Sequence, residues 1–392
     1  MAVHDSTLLP LHRRKDADPG PPCPTELPNG APAWLVTRYH DVRQVLTDER
    51  FSRVDLFPAD GPSFDGTANL VRDADLLFNQ DGADHRRVRR VMQSAFTLRA
   101  IGRWESWVGS VVERLVDRLV EHGPGVDVVA EFALPLPVAV MSRLLGLHGL
   151  DHDRLRRWTD CMFADGSNPP AEVEAGLAEF RAYGAGLVAE RRRRPGSDLV
   201  SSLVRAADEE GSLSETQLVT SVCGLIGGGN DSTMTVISNA LVYLLGEQLE
   251  SWPRLAAEEA ARTACERLLH TIPLGDDEGS PRRTTEDVEI GGVTIPAGSV
   301  VLADCMRANR DPEVFPRGSA DQLFTPLEGP TLAFGAGPHY CLGSWLARMQ
   351  LRLALQGLAA RLPGLRLAEP VAAIEWRRGS STRSPKYLRV LW

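Results

Sequence analysis

The stretch Phe334-Gly335-Ala336-Gly337-Pro338-His339-Tyr340-Cys341-Leu342-Gly343 decides how the rest of the chain is read. A turn rich in glycine and proline presents one cysteine just before a helix-like run, Ser344-Trp345-Leu346-Ala347-Arg348. Glycines let the backbone approach closely and take angles that other residues avoid, and Pro338 stiffens the turn while removing a donor. A cysteine at a helix N-terminus meets free N–H groups and the positive end of the helix dipole, which favour the thiolate. The stretch therefore holds one sulfur rigid, mostly dry and aimed at a single partner atom.

A free cysteine is most often a small buried hydrophobe. A structural zinc site wants four ligands in paired spacings, whereas the six cysteines at 23, 161, 223, 265, 305 and 341 are scattered. A cysteine protease needs a base and an oxyanion hole, and nothing local supplies them. A haem iron that must split dioxygen does need such a thiolate. The pattern F-x-x-G-x-x-x-C-x-G, fixed here by Phe334, Gly337, Cys341 and Gly343, resembles the haem-binding loop of the cytochrome P450 family, the haem-thiolate monooxygenases. The resemblance implies haem b as cofactor, Cys341 as its axial iron ligand, and Phe334 packed beside it.

With 392 residues, the length alone suggests two or three domains, but no linker divides the chain. The resemblance runs from Trp34 to Trp392, so the expectation is an N-terminal extension at 1–30 and a single haem domain at 31–392. A net charge of −9 argues against nucleic acid as a partner. No run of 18 apolar residues suggests a membrane helix, and Met1–Arg14 has no apolar signal core. The cysteine spacing fits a reducing cytoplasm.

Helical periodicity marks about Tyr39–Thr47, His85–Ala95, Trp104–Glu121, Leu136–Leu145, Asp151–Phe163, Ala171–Arg192, Asp198–Glu209, Ser214–Leu245 and Ser344–Leu362. Ala33–Thr37, Leu365–Leu367 and Leu388–Trp392 read as strands, and Val288–Ile295 as a hairpin turning on Gly291-Gly292. Asp55–Asn79 reads as irregular. The fold class is mainly α with small peripheral β-sheets, and the resemblance implies the triangular P450 fold.

Ser221–Leu245 is apolar enough to be a buried helix, yet its middle reads Gly227-Gly228-Gly229-Asn230-Asp231-Ser232-Thr233. Each helical glycine costs about 1 kcal/mol relative to alanine. Either close packing of another helix offsets this, or a local widening admits a flat cofactor and dioxygen. An acid followed by an alcohol, Asp231-Ser232, suits proton relay. The block resembles the family's A/G-G-x-D/E-T-T/S motif through Gly228, Gly229 and Asp231, with Ser232 where the family usually has threonine. Ser232 keeps the hydroxyl but loses the methyl that stiffens χ1.

Two haem propionates need cations or donors, because a buried carboxylate without a partner is costly. His85 and Arg89 share one helical face and match the family's H-x-x-x-R. Arg282 precedes Thr284-Thr285-Glu286-Asp287-Val288-Glu289, which resembles its R-x-x-T-E-D-V-E block, and His339 lies in the cysteine loop. These four form the expected propionate clamp. Arg86, Arg87, Arg90, Arg348 and Arg352 are expected to offer a cationic patch to an acidic electron donor, or to be an ordinary charged face.

The family also carries an E-x-x-R pair completed by a P-x-R-F arginine. A literal match, Glu259-Ala260-Ala261-Arg262, is a decoy, because the block's context falls at Arg267-Leu268-Leu269-His270 before Pro273. Arg267 then replaces the glutamate and His270 the arginine; Gln322 is the nearest stand-in for the missing P-x-R-F, and Glu266 with His270 a substitute pair. The expected activity is hydroxylation, epoxidation or oxidative coupling of a small natural-product substrate, free or carrier-bound. Electrons would come from a separate ferredoxin and ferredoxin reductase, as the chain has no dinucleotide fingerprint and no iron–sulfur cysteine set. The altered motif leaves room for a helper protein that activates a partner enzyme, and Ser232 for a peroxide-using variant. Residues expected to shape the substrate pocket are Leu56–Phe78, Leu225–Gly228, Pro273-Leu274 and Gly379–Thr382.

Overall fold

The structure, a computed structural model, describes residues 18–27, 29–56, 69–275, 279–316 and 322–392. Apolar residues at helical spacing bury one face of each outer helix. Helix α1 (Tyr39–Thr47) buries Tyr39, Val42, Val45 and Leu46. The helices that follow are α2 (Gly82–Gln93), α3 (Leu98–Gly102), α4 (Glu105–His122), α5 (Pro135–Leu145), α6 (His152–Met162), α7 (Pro170–Arg193) and α8 (Leu199–Glu210). Helix α9 (Glu215–Glu247) runs 33 residues and starts on a capping box between Ser214 and Gln217. It is buried on nearly every side, against α5, α6, α7 and α8. The helical set closes with α10 (Glu258–Thr271), α11 (Cys305–Ala308) and α12 (Ser344–Arg361).

The strands lie at the edge of this helical mass. A five-stranded sheet takes the order β1-β2-β7-β4-β3, from β1 (Cys23–Glu26), β2 (Pro32–Val36), β3 (Phe51–Ser52), β4 (Ser280–Thr284) and β7 (Val300–Ala303). Its β2–β7 pair is parallel and the others antiparallel. The expected hairpin forms as β5 (Val288–Ile290) and β6 (Val293–Ile295), with φ of 55° at Gly291 and 79° at Gly292, the pair of positive angles that a two-residue turn requires. The C-terminal strands β8 (Arg366–Leu367) and β9 (Val390–Leu391) pair with each other. The large core joins α4 to α10 with α12, while a smaller one lies between α1, the sheet and the hairpin.

Among the departures from the sequence expectations, three bear on the site. Cys23–Glu26, within the expected extension, is an edge strand paired with Pro32–Leu35; residues 1–17 lie outside the described set. Helix α10 had no assigned element, because the preceding turn Leu249–Ala256 contains Pro253 and interrupts the periodicity. Strand β4 carries Pro281, Arg282 and Arg283 and so lacks an apolar alternation.

Candidate active site

The cysteine loop is fixed from four directions. Gly335 and Gly337 take φ of 70° and 67°, and a Cβ on Gly337 would stand 2.6 Å from the Leu46 carbonyl oxygen at the end of α1, so only glycine fits. The Cys341 N–H donates to the Phe334 carbonyl at 2.9 Å, closing the turn. The Arg89 guanidinium, on α2, donates to the Tyr340 carbonyl at 2.6 Å. Gly343 caps α12, and its N–H points at the Cys341 sulfur. Cys341 is solvent-accessible although protein crowds around its sulfur. Burial pushes its thiol up; the Gly343 N–H and the charges of Arg89 and Arg348 only oppose this. The helix-end effect anticipated from sequence thus acts in the expected direction but is outweighed, and a coordinating metal ion is what would hold the sulfur deprotonated.

Phe334 is braced from outside: the Arg348 guanidinium lies 4.4 Å from its ring centroid. Arg348 also donates to Glu266 at 2.7 Å and to the Tyr340 hydroxyl at 3.2 Å. Arg352 is buried and paired with Glu105. These two arginines are therefore internal braces and not members of an exposed patch. Arg87 pairs with Asp84 at 2.9 Å, leaving Arg86 and Arg90 on the exposed face of α2.

The clamp residues gather as expected, around a carboxylate that sequence reading missed. The His85 and His339 rings lie in tilted contact, with centroids 4.3 Å apart and planes at 44°. His339 Nε2 contacts Asp81 Oδ1 at 3.0 Å, while the buried His85 Nε2 and His339 Nδ1 have no protein partner. Burial lowers the His85 pKa to about 4, with the charges of His339 and Arg89 adding to it, and burial lowers His339 as well. Asp81 caps α2. Burial pushes its carboxyl up, but bonds from His339, Ser52 and the N–H groups of Arg53 and Val54 hold it well below the usual range. Arg282 is buried, its hydrogen bonds go to neutral oxygens on Ser280 and Pro281, and burial lowers it to about 10.

Helix α9 answers its glycine question both ways. A Cβ on Gly227 would stand 2.2 Å from the Met162 sulfur of α6, and one on Gly229 2.6 Å from Met141 of α5. These two glycines allow helix packing. A Cβ on Gly228 would meet nothing within 4 Å. Between Ser221 and Leu245 only Gly224, Leu225, Gly228, Gly229 and Ser232 are accessible. Leu225, Gly228 and Ser232 follow one helical face, so a single accessible stripe runs along an otherwise buried helix. Ser232 Oγ donates to the Gly228 carbonyl at 2.6 Å.

Asp231 points elsewhere. Its Oδ1 accepts from Arg377 at 3.0 Å and its Oδ2 from the Thr382 hydroxyl at 2.6 Å. Burial works against the Arg377 charge, but Asp231 and Asp160, which it also contacts, outweigh that. No sequence motif marks Arg377, so this tie between α9 and the C-terminal loop was not legible. The same loop is stitched to the α6–α7 connection: Ser381 N–H donates to Phe163 O at 2.7 Å, and Asn168 bonds the Gly379 carbonyl. Arg383 N–H donates to Leu274 O at 2.7 Å. Three of the four expected pocket segments thus have described positions; most of the fourth, 57–68, lies outside the described residues.

The expected ion network is rearranged. Glu266 pairs with Arg348 instead of His270. His270 is buried with Nδ1 3.4 Å from the Thr331 hydroxyl, and burial lowers its pKa to about 4, with Arg267 adding to it. Arg267 pairs with Glu328 and not with Gln322, which is exposed. The Glu259–Arg262 pair is exposed, confirming the decoy. Residues 317–321, where a P-x-R-F block would fall, lie outside the described set.

The residues present fit haem. Two unpartnered buried ring nitrogens, a buried arginine bonded only to neutral oxygens and the nearby Arg89 suit a pair of carboxylates. The open face at Gly228 leaves room for a flat group, and Cys341 supplies a sulfur ligand.

Residues 269–359 match the profile of the cytochrome P450 family. The chain is 40% identical to nocardicin C N-oxygenase of Nocardia uniformis subsp. tsuyamanensis, across 93% of this chain and 91% of that one. It is 40% identical to mycinamicin IV hydroxylase/epoxidase of Micromonospora griseorubida, with 93% and 91% covered. The crystal structure of HinD with NMFT and NO superposes with a TM-score of 0.87 at 38% identity, covering 95% of this chain and 93% of that one.

Proposed function

The chain belongs to the cytochrome P450 family and is a haem-dependent monooxygenase, and from that premise we propose that Cys341 is the axial iron ligand and that the substrate is a small natural product. When bound, the haem supplies iron-centred activation of dioxygen. The single observation that carries the assignment is the Cys341 loop: an accessible sulfur crowded by protein, with the Gly343 N–H directed at it and its backbone locked to Phe334. His85, His339, Arg282 and Arg89 hold the propionates, and Asp81 orients His339 through its ring N–H.

Gly228 gives the flat group space, while Ser232 and the Gly228 carbonyl orient a water above it. Asp231 moves a proton only after releasing Thr382 or Arg377, so its relay is coupled to the position of the C-terminal loop. Leu225, Leu274 and the Gly379–Thr382 segment line the substrate side. Two relatives are named for oxidising nocardicin C and mycinamicin IV, which supports a natural-product substrate class.

Electrons come from a ferredoxin and its reductase, docking where Arg86, Arg90, Arg99 and Arg103 are exposed beside exposed Leu98 and Trp345. These residues sit on α2, α3 and the first turn of α12, which are linked through contacts around the cysteine loop. Where the family motif is altered, the buried Arg267 pairs with Glu328 at the surface, and this substitute pair supports the enzyme reading over a helper role. No helix among the described residues is long and apolar enough to cross a membrane.

The test is the ferrous–CO spectrum of the purified protein. A red-shifted thiolate band is expected, and its loss in Cys341→Ser with the fold retained by circular dichroism. A wild-type protein that binds haem without that band overturns the assignment of Cys341.

A further inference from the structure

Arg267 is a cation with 1% of its side chain exposed, in the middle of α10. Its Nε donates to the Thr325 carbonyl at 2.7 Å and its Nη2 to the Pro326 carbonyl at 2.6 Å. The guanidinium fork then meets the Glu328 carboxylate at 2.9 and 3.1 Å. Planar, bidentate contacts of this kind fix orientation as well as distance. The chain gripped is the approach to the cysteine loop. Beyond Glu328, Thr331 contacts His270 and Asn309, and the Leu332 N–H donates to Asn309 Oδ1 at 2.8 Å. Gly335 N–H then bonds the Leu332 carbonyl, and Cys341 N–H the Phe334 carbonyl.

The neighbouring residue holds the other limb. Adjacent helical side chains diverge by about 100°, and Glu266 accepts from Arg348 in the first turn of α12, just past Cys341. Arg348 in turn lies over Phe334 and bonds the Tyr340 hydroxyl. Two consecutive residues of α10 thus grasp the two limbs between which Cys341 sits.

We propose that Arg267 and Glu328 are positioning residues, a clamp of reversed polarity in which the cation stands on α10 and the carboxylate on the loop, and that it sets how firmly the Cys341 loop retains haem. The clamp rests on the reading of Cys341 as the iron ligand. What it requires is one charge of each sign facing the other, so an exchanged pair keeps the attraction between the charges but loses the two bonds that Arg267 donates to the Thr325 and Pro326 carbonyls.

The test uses full-length Arg267→Glu, Glu328→Arg and the double variant, with Glu328→Gln as a milder change. Haem content, the rate of haem transfer to apomyoglobin and the ferrous–CO band are read, with circular dichroism as a folding control. Each charge reversal is expected to speed haem loss by about 10-fold or more and to move the CO band towards the neutral-thiol position, and the double variant to lose haem more slowly than either single variant while staying faster than wild type, since the bonds to the Thr325 and Pro326 carbonyls are not restored. Glu328→Gln is expected to fall between. A double variant as impaired as either single, or single variants that keep haem like wild type, overturns the clamp.

If wild type itself lacks the thiolate band, the ligand assignment fails separately. Urea denaturation of the four apoproteins then still decides the pair: a favourable coupling in the double-mutant cycle upholds it, and simple additivity overturns it.

Discussion

At the scale of single residues, His270 shows how burial rewrites chemistry. Its ring is packed 4.3 Å from the Phe315 ring centroid and beside the Arg267 charge, and both burial and that charge keep it neutral down to about pH 4. In the unfolded chain it takes a proton near 6.5. Between those values the unfolded state binds more protons, so stability falls as pH drops from about 6.5 to about 4 and is steady above. His85 acts with the same sign when no ligand meets its ring. Urea midpoints of the apoprotein should therefore decline across this window, and His270→Gln should flatten the slope. An unchanged slope would show that other groups dominate. That His270 matters was legible from its place in an altered motif. Its partners were not, because a helix sequence specifies which residues share a face and not which loop, some 60 positions away, will meet it.

At the scale of elements, α9 divides its glycines between packing and space. Gly227 and Gly229 meet methionines from α6 and α5, while Gly228 faces the accessible stripe. Gly228→Ala should stabilise the apoprotein by up to about 1 kcal/mol, the helical preference for alanine, and yet lower haem incorporation. Gly227→Ala should destabilise it, since Met162 must move. A thermal melt and haem titration of both variants check the contrast. The nine helices expected from sequence, including α1, α9 and α12, appear within two or three residues of their expected ends, because most carry an apolar stripe and α9, buried on nearly every side, is long and apolar throughout. Strand β4 was missed for its Pro281-Arg282-Arg283 run, and β7 because a short apolar run such as Val300–Ala303 is not told from a buried helical segment by periodicity. The Asp231-Ser232 pair was visible as letters, but not the Arg377 and Thr382 bonds that turn the two side chains to different tasks.

At the scale of the whole molecule, charge is unevenly laid out. The chain carries −9 overall, yet arginines at 86, 90, 99 and 103 are exposed on α2, on α3 and at the end of α3. A cationic face on an acidic protein steers an acidic partner to one side and turns others away. Reduction by a ferredoxin should slow with rising salt, and Arg86→Glu with Arg90→Glu should cut the second-order rate about 10-fold at low ionic strength while the CO band is unchanged. Stopped-flow reduction at two salt concentrations measures it, and equal rates would place the docking face elsewhere. The Arg267–Glu328 pair also bears on descent. The two codons cannot change in one event, and either single reversal leaves like charges facing each other. A lineage that reached Arg267 from the family's glutamate, whose arginine partner falls near 317–322 and not at 328, therefore passed through a neutral side chain at 267 or 328 or through an ancestor that loses its cofactor easily. Homologues that still carry such a neutral residue would be the record of that crossing.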